Sequence, residues 1–411
     1  MARIGVIGAG IIGSAVATWL LAEGHEVTVF ESDAGGVPTS GGNAALIALP
    51  EVAPLAHPSM LTAVPRWLAD PLGPLTVRWS DAHKLAPWVT ALLASATPGR
   101  IRAHRDALTF LMRTALADHQ TLAKHAGLTG HLKQTGYLSI SDTEGGVRAG
   151  AAEAEAVREV LGFDYEMVST EAARKLVPQL EGQFAGGIYQ PVYWMVNDPL
   201  DVMRALQQHN WGRGRIVHAQ ADGLVSTDTD VLVRHPGGAA EPFDFVVVAA
   251  GIWSRELVRR VGLKVLLETE RGYNTTFEDL PFTLPMPVGF ADHGFITSPL
   301  ARNRLRVGGA VELATPEAPP NFARAKAMRT KMRRYVPALP EGGAEWMGRR
   351  PSTPDSVPVI SRHPRDSRIL FAFGHGHLGL TLSAVTARHI ARLVAGANDP
   401  ALAPFAINRF Q

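Results

Sequence analysis

Apolar positions along the chain follow two rhythms, short continuous runs and a spacing of three and four, and the two alternate. Arg3 to Ile7 and Val27 to Phe30 are short apolar runs of the kind that form buried strands. Between them, the small and apolar residues from Ser14 to Glu23 suit a helix packed on a sheet. Ile101 to His125 places Leu108, Leu111, Met112, Ala115, Leu116 and Leu122 at spacings of three and four, which predicts a longer helix. Gly136 to Ser141 and Gly187 to Pro191 read as strands around a helical segment from Ala149 to Leu161. Ser169 is an N-cap candidate for a further helix. Asp198-Pro199 opens another from Leu200 to His209, with proline at the favoured first position. Arg215 to Val233 is β-rich. Phe243 to Gly251 is a Val/Ala run closed by glycine, the pattern of a central parallel strand whose end meets a ligand, and a helix follows to Val261. Glu268 to Glu312 alternates between turns, which predicts a second, mostly antiparallel sheet. Phe322 to Val336 reads as a basic helix with a solvated face, and the strand Ile369 to Gly374 leads into an apolar helix from Leu380 to Val394.

The chemistry concentrates where the first strand meets the first helix. Gly8-Ala9-Gly10-Ile11-Ile12-Gly13 follows the strand directly, and the second strand ends in Glu31. This is the order of a dinucleotide-binding βαβ unit. Gly8 allows the tight turn, Gly10 lets backbone N–H groups approach a pyrophosphate, and Gly13 lets the helix lie close to the strand. The helix N-terminus adds a partial positive charge. Glu31 is placed to accept from an adenosine ribose hydroxyl, and an acid there disfavours a 2′-phosphate and hence NADP. FAD and NAD share the fingerprint, so the motif alone does not choose between them.

Composition narrows the remaining classes. A chain of 411 residues is too long for one compact core, so two domains or one domain with a large insertion are expected. A net charge of +2 argues against a nucleic-acid binder. The absence of cysteine removes disulfides, thiolate metal sites, iron–sulfur clusters and a cysteinyl flavin link. A strand beginning at residue 3 leaves no room for a signal peptide, and no apolar run is long enough to span a bilayer. A cytoplasmic protein is expected.

Several stretches keep two readings. Ser32 to Ala45 is rich in Gly, Ser and Thr and forms a loop, either a solvated turn or a contact to the far half of a cofactor through Thr39, Ser40 and Asn43. The segment His57 to Ala96 carries Trp67, Trp79 and Trp88, read either as short packed helices or as an apolar surface for a membrane interface or a quinone. His104, His119 and His125 lack a metal-ligand spacing and are expected at the surface. Tyr193 and Trp194 face a pocket or fill a core. His375-Gly-His-Leu-Gly379 is a glycine-bracketed turn opening a helix, whose dipole can stabilise developing negative charge.

Taken together, Gly8 to Gly13 with Glu31, the Thr39-Ser-Gly-Gly-Asn-Ala44 loop, Val246 to Ser254, Gly348-Arg-Arg-Pro-Ser-Thr-Pro-Asp355 and Gly374-His-Gly-His-Leu-Gly379 resemble the D-amino-acid oxidase / glycine oxidase superfamily. They are most similar to its D-amino-acid dehydrogenase branch. The resemblance implies an α/β fold with a Rossmann-like FAD-binding domain and a mixed, mostly antiparallel-sheet substrate domain. It divides the chain into residues 1–126, 199–262 and 346–411 for the FAD-binding domain, with a helical insertion in the first. Residues 127–198 and 263–345 form the substrate domain.

The same resemblance implies non-covalently held FAD, contacted by Gly8, Gly10, Ile11, Ile12, Gly13, Glu31, Ser32, Thr39, Ser40, Asn43, Ala44, Gly251, Gly374, Gly376, His377, Leu378 and Gly379. It implies that Arg350 grips the substrate carboxylate, a task suited to a planar, two-pronged donor, with Arg349 as the other candidate. His377 stands where glycine oxidases have an arginine. Tyr273 contacts substrate or fills a core. The reaction implied is hydride transfer from the Cα–H of a D-amino acid to flavin N5, giving an imino acid that hydrolyses to a 2-oxo acid. Such chemistry needs orientation more than an acid–base pair. Oxygen or a quinone or electron-transfer partner accepts the electrons, and peripheral contact with the inner membrane face through the Trp-rich segment is an expectation alongside. Two other readings are a dehydrogenase or oxidase of a cyclic or N-substituted amino acid, such as D-proline, hydroxy-D-proline or a sarcosine-like substrate, and a non-enzymatic flavoprotein-like binding module.

Overall fold

The computed structural model describes residues 1–32, 37–56, 75–236, 238 and 240–411. The elements that position the site are, in chain order, β1 (Arg3–Ile7), α1 (Ile11–Ala22), β2 (Glu26–Phe30), α2 (Pro98–Ala126), β3 (Tyr137–Ser141), α3 (Pro199–Arg213), β4 (Phe245–Val248), β5 (Glu268–Phe277), β6 (Arg304–Ala314), α4 (Ala323–Met332), β7 (Ala344–Ser352), β8 (Ile369–Phe373) and α5 (Gly379–Val394).

The first sheet has six strands in the order Arg215–Val217, β2, β1, β4, β8, Val359–Arg362. All neighbours are parallel except the last pair. Its central strands read as unbroken apolar runs because both faces are covered. One face packs on α1, α2 and α5 through residues such as Val6, Leu20, Leu111 and Ile390. The other packs on a small three-stranded sheet and the helix Ser254–Arg260 through Ile7, Phe30, Val248 and Leu257.

The second sheet has nine strands. It runs β7, β5, β6, Phe295–Leu300, Val288–Phe290, β3, Gly186–Gln190, Glu166–Ser169, with Leu75–Val77 alongside β6. Pairing is antiparallel except between β3 and Val288–Phe290 and between Leu75–Val77 and β6. The α/β architecture with a mostly antiparallel second sheet is therefore as expected. The expected return to the FAD-binding portion at residue 346 falls inside β7, which pairs with β5 from Ala344 to Ser352; the chain leaves the second sheet after Ser352.

Local signals worked as their chemistry demands. Ser169 accepts from the Ala172 N–H, and Asp198 accepts from the N–H groups of Leu200 and Asp201 at the start of α3. Three expectations change. α4 is not merely a solvated face, since Arg324, Ala325, Met328 and Met332 are buried against the second sheet. His119 is buried in α2, its Nε2 3.0 Å from the carbonyl oxygens of both Leu380 and Thr381. Trp88 is a core residue, with its indole N–H donating to Ser352 O at 2.9 Å, so it offers no surface to a membrane. Trp67 lies outside the described residues. Among the described residues, no helix is long and apolar enough to cross a membrane.

Candidate active site

The glycine turn is built by close approach. Gly8 has φ +102°, and a Cβ there would stand 2.7 Å from the Ala249 carbonyl oxygen. A Cβ on Gly13 would stand 1.9 Å from Gly8 O, so α1 can begin against the strand end only with glycine at both positions. Gly8 N–H donates to Phe30 O at 2.8 Å and Ile11 N–H to Ser40 Oγ at 3.1 Å. The N–H groups of Gly10 and Ile12 have no partner among the described residues. Unpartnered donors at the start of a 12-residue helix are what a pyrophosphate requires. Glu31 sits beside this turn and accepts from the Ala9 N–H. Ser32 is exposed next to it. The cradle therefore fits the dinucleotide part of FAD.

The Thr39–Ala44 loop turns its carbonyl oxygens toward the second sheet. Asn274 on β5 donates to Gly42 O at 2.7 Å, and Arg306 on β6 donates to Gly41 O at 3.2 Å and Asn43 O at 2.5 Å. Burial lowers the Arg306 pKa to about 10. Thr39 spends its side chain on joining the loop to β7, and Asn43 on the loop's own shape. Thr39 Oγ1 accepts from the Arg349 N–H at 3.2 Å, while Asn43 donates to Ser40 O at 2.6 Å and accepts from the Ala45 N–H. Ala44 is half-buried.

β7 is the element on which the predicted pieces converge. It packs against the Thr39–Gly42 turn, against the 3-10 turn Gly251–Trp253 at the end of β4, and against the turn Gly376–Leu378. Ser352 bridges to His375. Alternation along the strand separates its two arginines. Arg349 is used structurally, its Nε donating to Pro316 O at 2.8 Å. Arg350 points to the other face, where its guanidinium lies flat over Gly272. A Cβ on Gly272 would stand 2.3 Å from an Arg350 terminal nitrogen and 2.5 Å from Cζ. Among the described residues the Arg350 guanidinium has no hydrogen-bond acceptor. Burial lowers its pKa, against the opposing charge of Glu270, its register partner on β5. A half-buried guanidinium whose fork has no acceptor among the described residues has the chemistry to receive a carboxylate.

The C-terminal turn faces the same place. Gly374 and Gly376 both have positive φ, Leu378 is buried, and Gly379 starts α5. His377 is open to solvent yet closely surrounded by protein, which places it on the wall of an internal cleft. Desolvation there, with the charge of Arg350, holds its pKa down to about 4. His375 is buried with Nε2 2.9 Å from Thr386 Oγ1, and burial lowers its pKa to about 3. Both imidazoles are neutral near pH 7.

Tyr273 is not brought to this cleft. It is 1% exposed, its hydroxyl donates to Glu312 Oε2 at 2.5 Å, and it accepts from the Asn321 N–H at 3.1 Å. It lies on the opposite face of β5 from Gly272, so it is the core tyrosine of the two readings. Tyr193 is buried too, but it stacks on Tyr137 with centroids 4.7 Å apart and donates to Glu51 Oε1 at 3.2 Å. Glu51 and Tyr137 beside Tyr193, and Arg306 beneath the Thr39–Ala44 loop, are neighbours that sequence reasoning missed. Glu51 had a signal: it is the lone charge in the apolar stretch Ala44 to Ala56.

Comparison with known proteins agrees with this geometry. Residues 3–393 match the family described as DAO, FAD dependent oxidoreductase. A D-amino-acid oxidase of Bradyrhizobium diazoefficiens is 34% identical over 99% of this chain and 99% of its own length. A D-amino acid dehydrogenase of Dechloromonas aromatica is 29% identical, covering 98% and 99%. Among solved structures, glycine oxidase from Geobacillus kaustophilus superposes with a TM-score of 0.78 at 22% identity, over 100% of this chain and 99% of that one, which establishes the shared fold. Strand, glycine turn and matched sequence point the same way, and the chain belongs to the DAO family of FAD-dependent oxidoreductases.

Proposed function

We propose that the protein oxidises D-amino acids at Cα, giving imino acids that hydrolyse to 2-oxo acids. The observation that carries this reading is Arg350, a guanidinium with no hydrogen-bond acceptor among the described residues, on the strand that packs against the Thr39–Gly42, Gly251–Trp253 and Gly376–Leu378 turns. The names of the relatives, a D-amino-acid oxidase and D-amino acid dehydrogenases, support it.

FAD would be held by Gly8, Gly10, Ile11, Ile12 and Gly13 at the start of α1, by Glu31 and Ser32, by Ser40 and Ala44 in a loop shaped by Thr39 and Asn43, and by Gly251, Gly374, Gly376, His377, Leu378 and Gly379. When bound, it supplies the two-electron acceptor for the Cα hydride. The chain's own part is orientation. Arg350 binds the substrate carboxylate through two parallel bonds and so fixes which face of Cα is presented. Neutral His377 adds no second cation beside Arg350, so the carboxylate is drawn to one site. No described residue is needed as a general base for a substrate whose amine arrives neutral. Non-covalent retention is the proposed mode, and the absence of cysteine excludes a cysteinyl link.

Anaerobic mixing of the FAD-loaded protein with D- and L-amino acids, followed in the visible spectrum, tests the reading. Bleaching by D-amino acids is expected; bleaching confined to L-amino acids, or none by any amino acid, overturns it. Reoxidation in air or by a soluble quinone then separates the two acceptors.

A further inference from the structure

Glu51 is an acid in an unusual place. The segment that carries it is anchored beside the cleft: Ala48 N–H donates to Thr381 Oγ1 at 3.0 Å in the first turn of α5, just past the turn that holds His377. Its neighbours Ile47, Ala48, Leu49 and Val52 are buried, whereas Glu51 is exposed. Yet burial raises its pKa, with Glu153 adding to the effect, so protein surrounds it closely. Exposure within a crowded setting is the same signature as that of His377, and the Ala48–Thr381 bond sets the Glu51 segment beside the turn that carries His377. Its one partner among the described residues is the phenol of Tyr193, which occupies only Oε1; no described lysine, arginine or histidine pairs with it. The stacked rings of Tyr137 and Tyr193 stand beside it.

A carboxylate with one oxygen unpartnered among the described residues, next to two aromatic rings, has the chemistry to receive an organic cation. The opposite charge is supplied by Arg350, which acts on His377 in the neighbouring turn. A molecule with a carboxylate at one end and a cation at the other matches both. We propose that Glu51, flanked by Tyr137 and Tyr193, is the side-chain subsite and selects D-amino acids with a cationic side chain, lysine-like or arginine-like. This rests on the D-amino-acid reading above and adds a specificity to it.

The test compares kcat/KM of the FAD-loaded enzyme for D-arginine and D-lysine with that for D-norleucine and D-glutamine, neutral molecules of similar length. The wild type is expected to prefer the cationic pair by about 10- to 100-fold, the range of a charge-assisted contact. Glu51→Gln is expected to abolish that preference while leaving D-norleucine within about twofold, and Glu51→Asp to keep part of it. Calorimetric binding of agmatine, a guanidinium without a carboxylate, should be measurable in the wild type and lost in Glu51→Gln. A wild type without cationic preference overturns the inference, as does an equal loss for all substrates in a Glu51→Gln enzyme that retains its flavin. If no D-amino acid is oxidised, the proposed function falls, and the agmatine measurement still decides whether Glu51 receives a cation.

Discussion

The flat seat of Arg350 over Gly272 makes a single methyl group a sharp probe of the site. Gly272→Ala would place a carbon 2.3 Å from an Arg350 terminal nitrogen, 2.5 Å from Cζ and 2.9 Å from Nε. Normal contact begins near 3.5 Å, so the guanidinium must retreat by about 1 Å. The obstruction is the far end of a flexible side chain rather than backbone, so the sheet can survive, and replacing glycine within a strand offsets part of any strain. A misplacement of this size at a group that orients the reacting carbon costs about 100-fold, or roughly 2.7 kcal/mol in kcat/KM. The assay is stopped-flow flavin reduction by a D-amino acid under anaerobic conditions, with flavin content and Tm measured on the same preparation. The expected result is a large fall in kcat/KM with flavin retained, because the α1 cradle is untouched. Wild-type kinetics in a folded Gly272→Ala enzyme would refute Arg350 as the carboxylate receptor in the position described.

Other outcomes follow from the same coordinates. Gly13→Ala drives a carbon to 1.9 Å from Gly8 O and should give protein that purifies without flavin colour. Tyr273→Phe removes a buried hydroxyl bonded to Glu312 and to the Asn321 N–H; it should cost about 1–3 kcal/mol in urea unfolding while leaving kcat/KM unchanged, separating a core role from a substrate contact. His375 is neutral in the fold with its pKa near 3, below the unfolded value of about 6.5. The unfolded chain therefore binds the proton first, and stability is flat above pH ~6.5 and falls as pH drops toward 4. A pH series of Tm should show a shallower acid slope for His375→Asn. Gly212→Ala, inside α3 with nothing near the new carbon, should raise stability by about 0.5–1 kcal/mol.

The parts of the site that were legible in the sequence are those whose backbone demands special residues. The turn from Gly8 to Gly13 needs close approach of strand and helix, and the strand Phe245–Val248 needs an apolar run on both faces, so each leaves a local mark. The separation of Arg349 from Arg350 follows from strand alternation once residues 344–352 are known to be extended. What no local pattern carried is proximity across distant segments. Glu51 meets Tyr193, 142 residues away, and Arg306 reaches the Asn43 carbonyl across 263. His119 was misplaced for the same reason, since its partners lie on α5, far along the chain. Tyr273 could be assigned to the core only when the second sheet showed which of its faces α4 covers.

The ordering of strands in the first sheet has a bearing on how the protein is made. β1 sits between β2, its near neighbour in sequence, and β4, and Arg3 bonds Asp244 across a separation of 241 residues. β8 joins still later. On the ribosome, at about 5–20 residues per second, the glycine turn must wait tens of seconds before the strand that abuts it emerges. Through that interval β1 has one bare edge, and the cradle lacks the Ala249 backbone that presses on Gly8. Closure of the cradle is thereby tied to synthesis of more than half the chain, and shorter truncated chains, which cannot close the sheet, are the species that chaperones and proteases would meet.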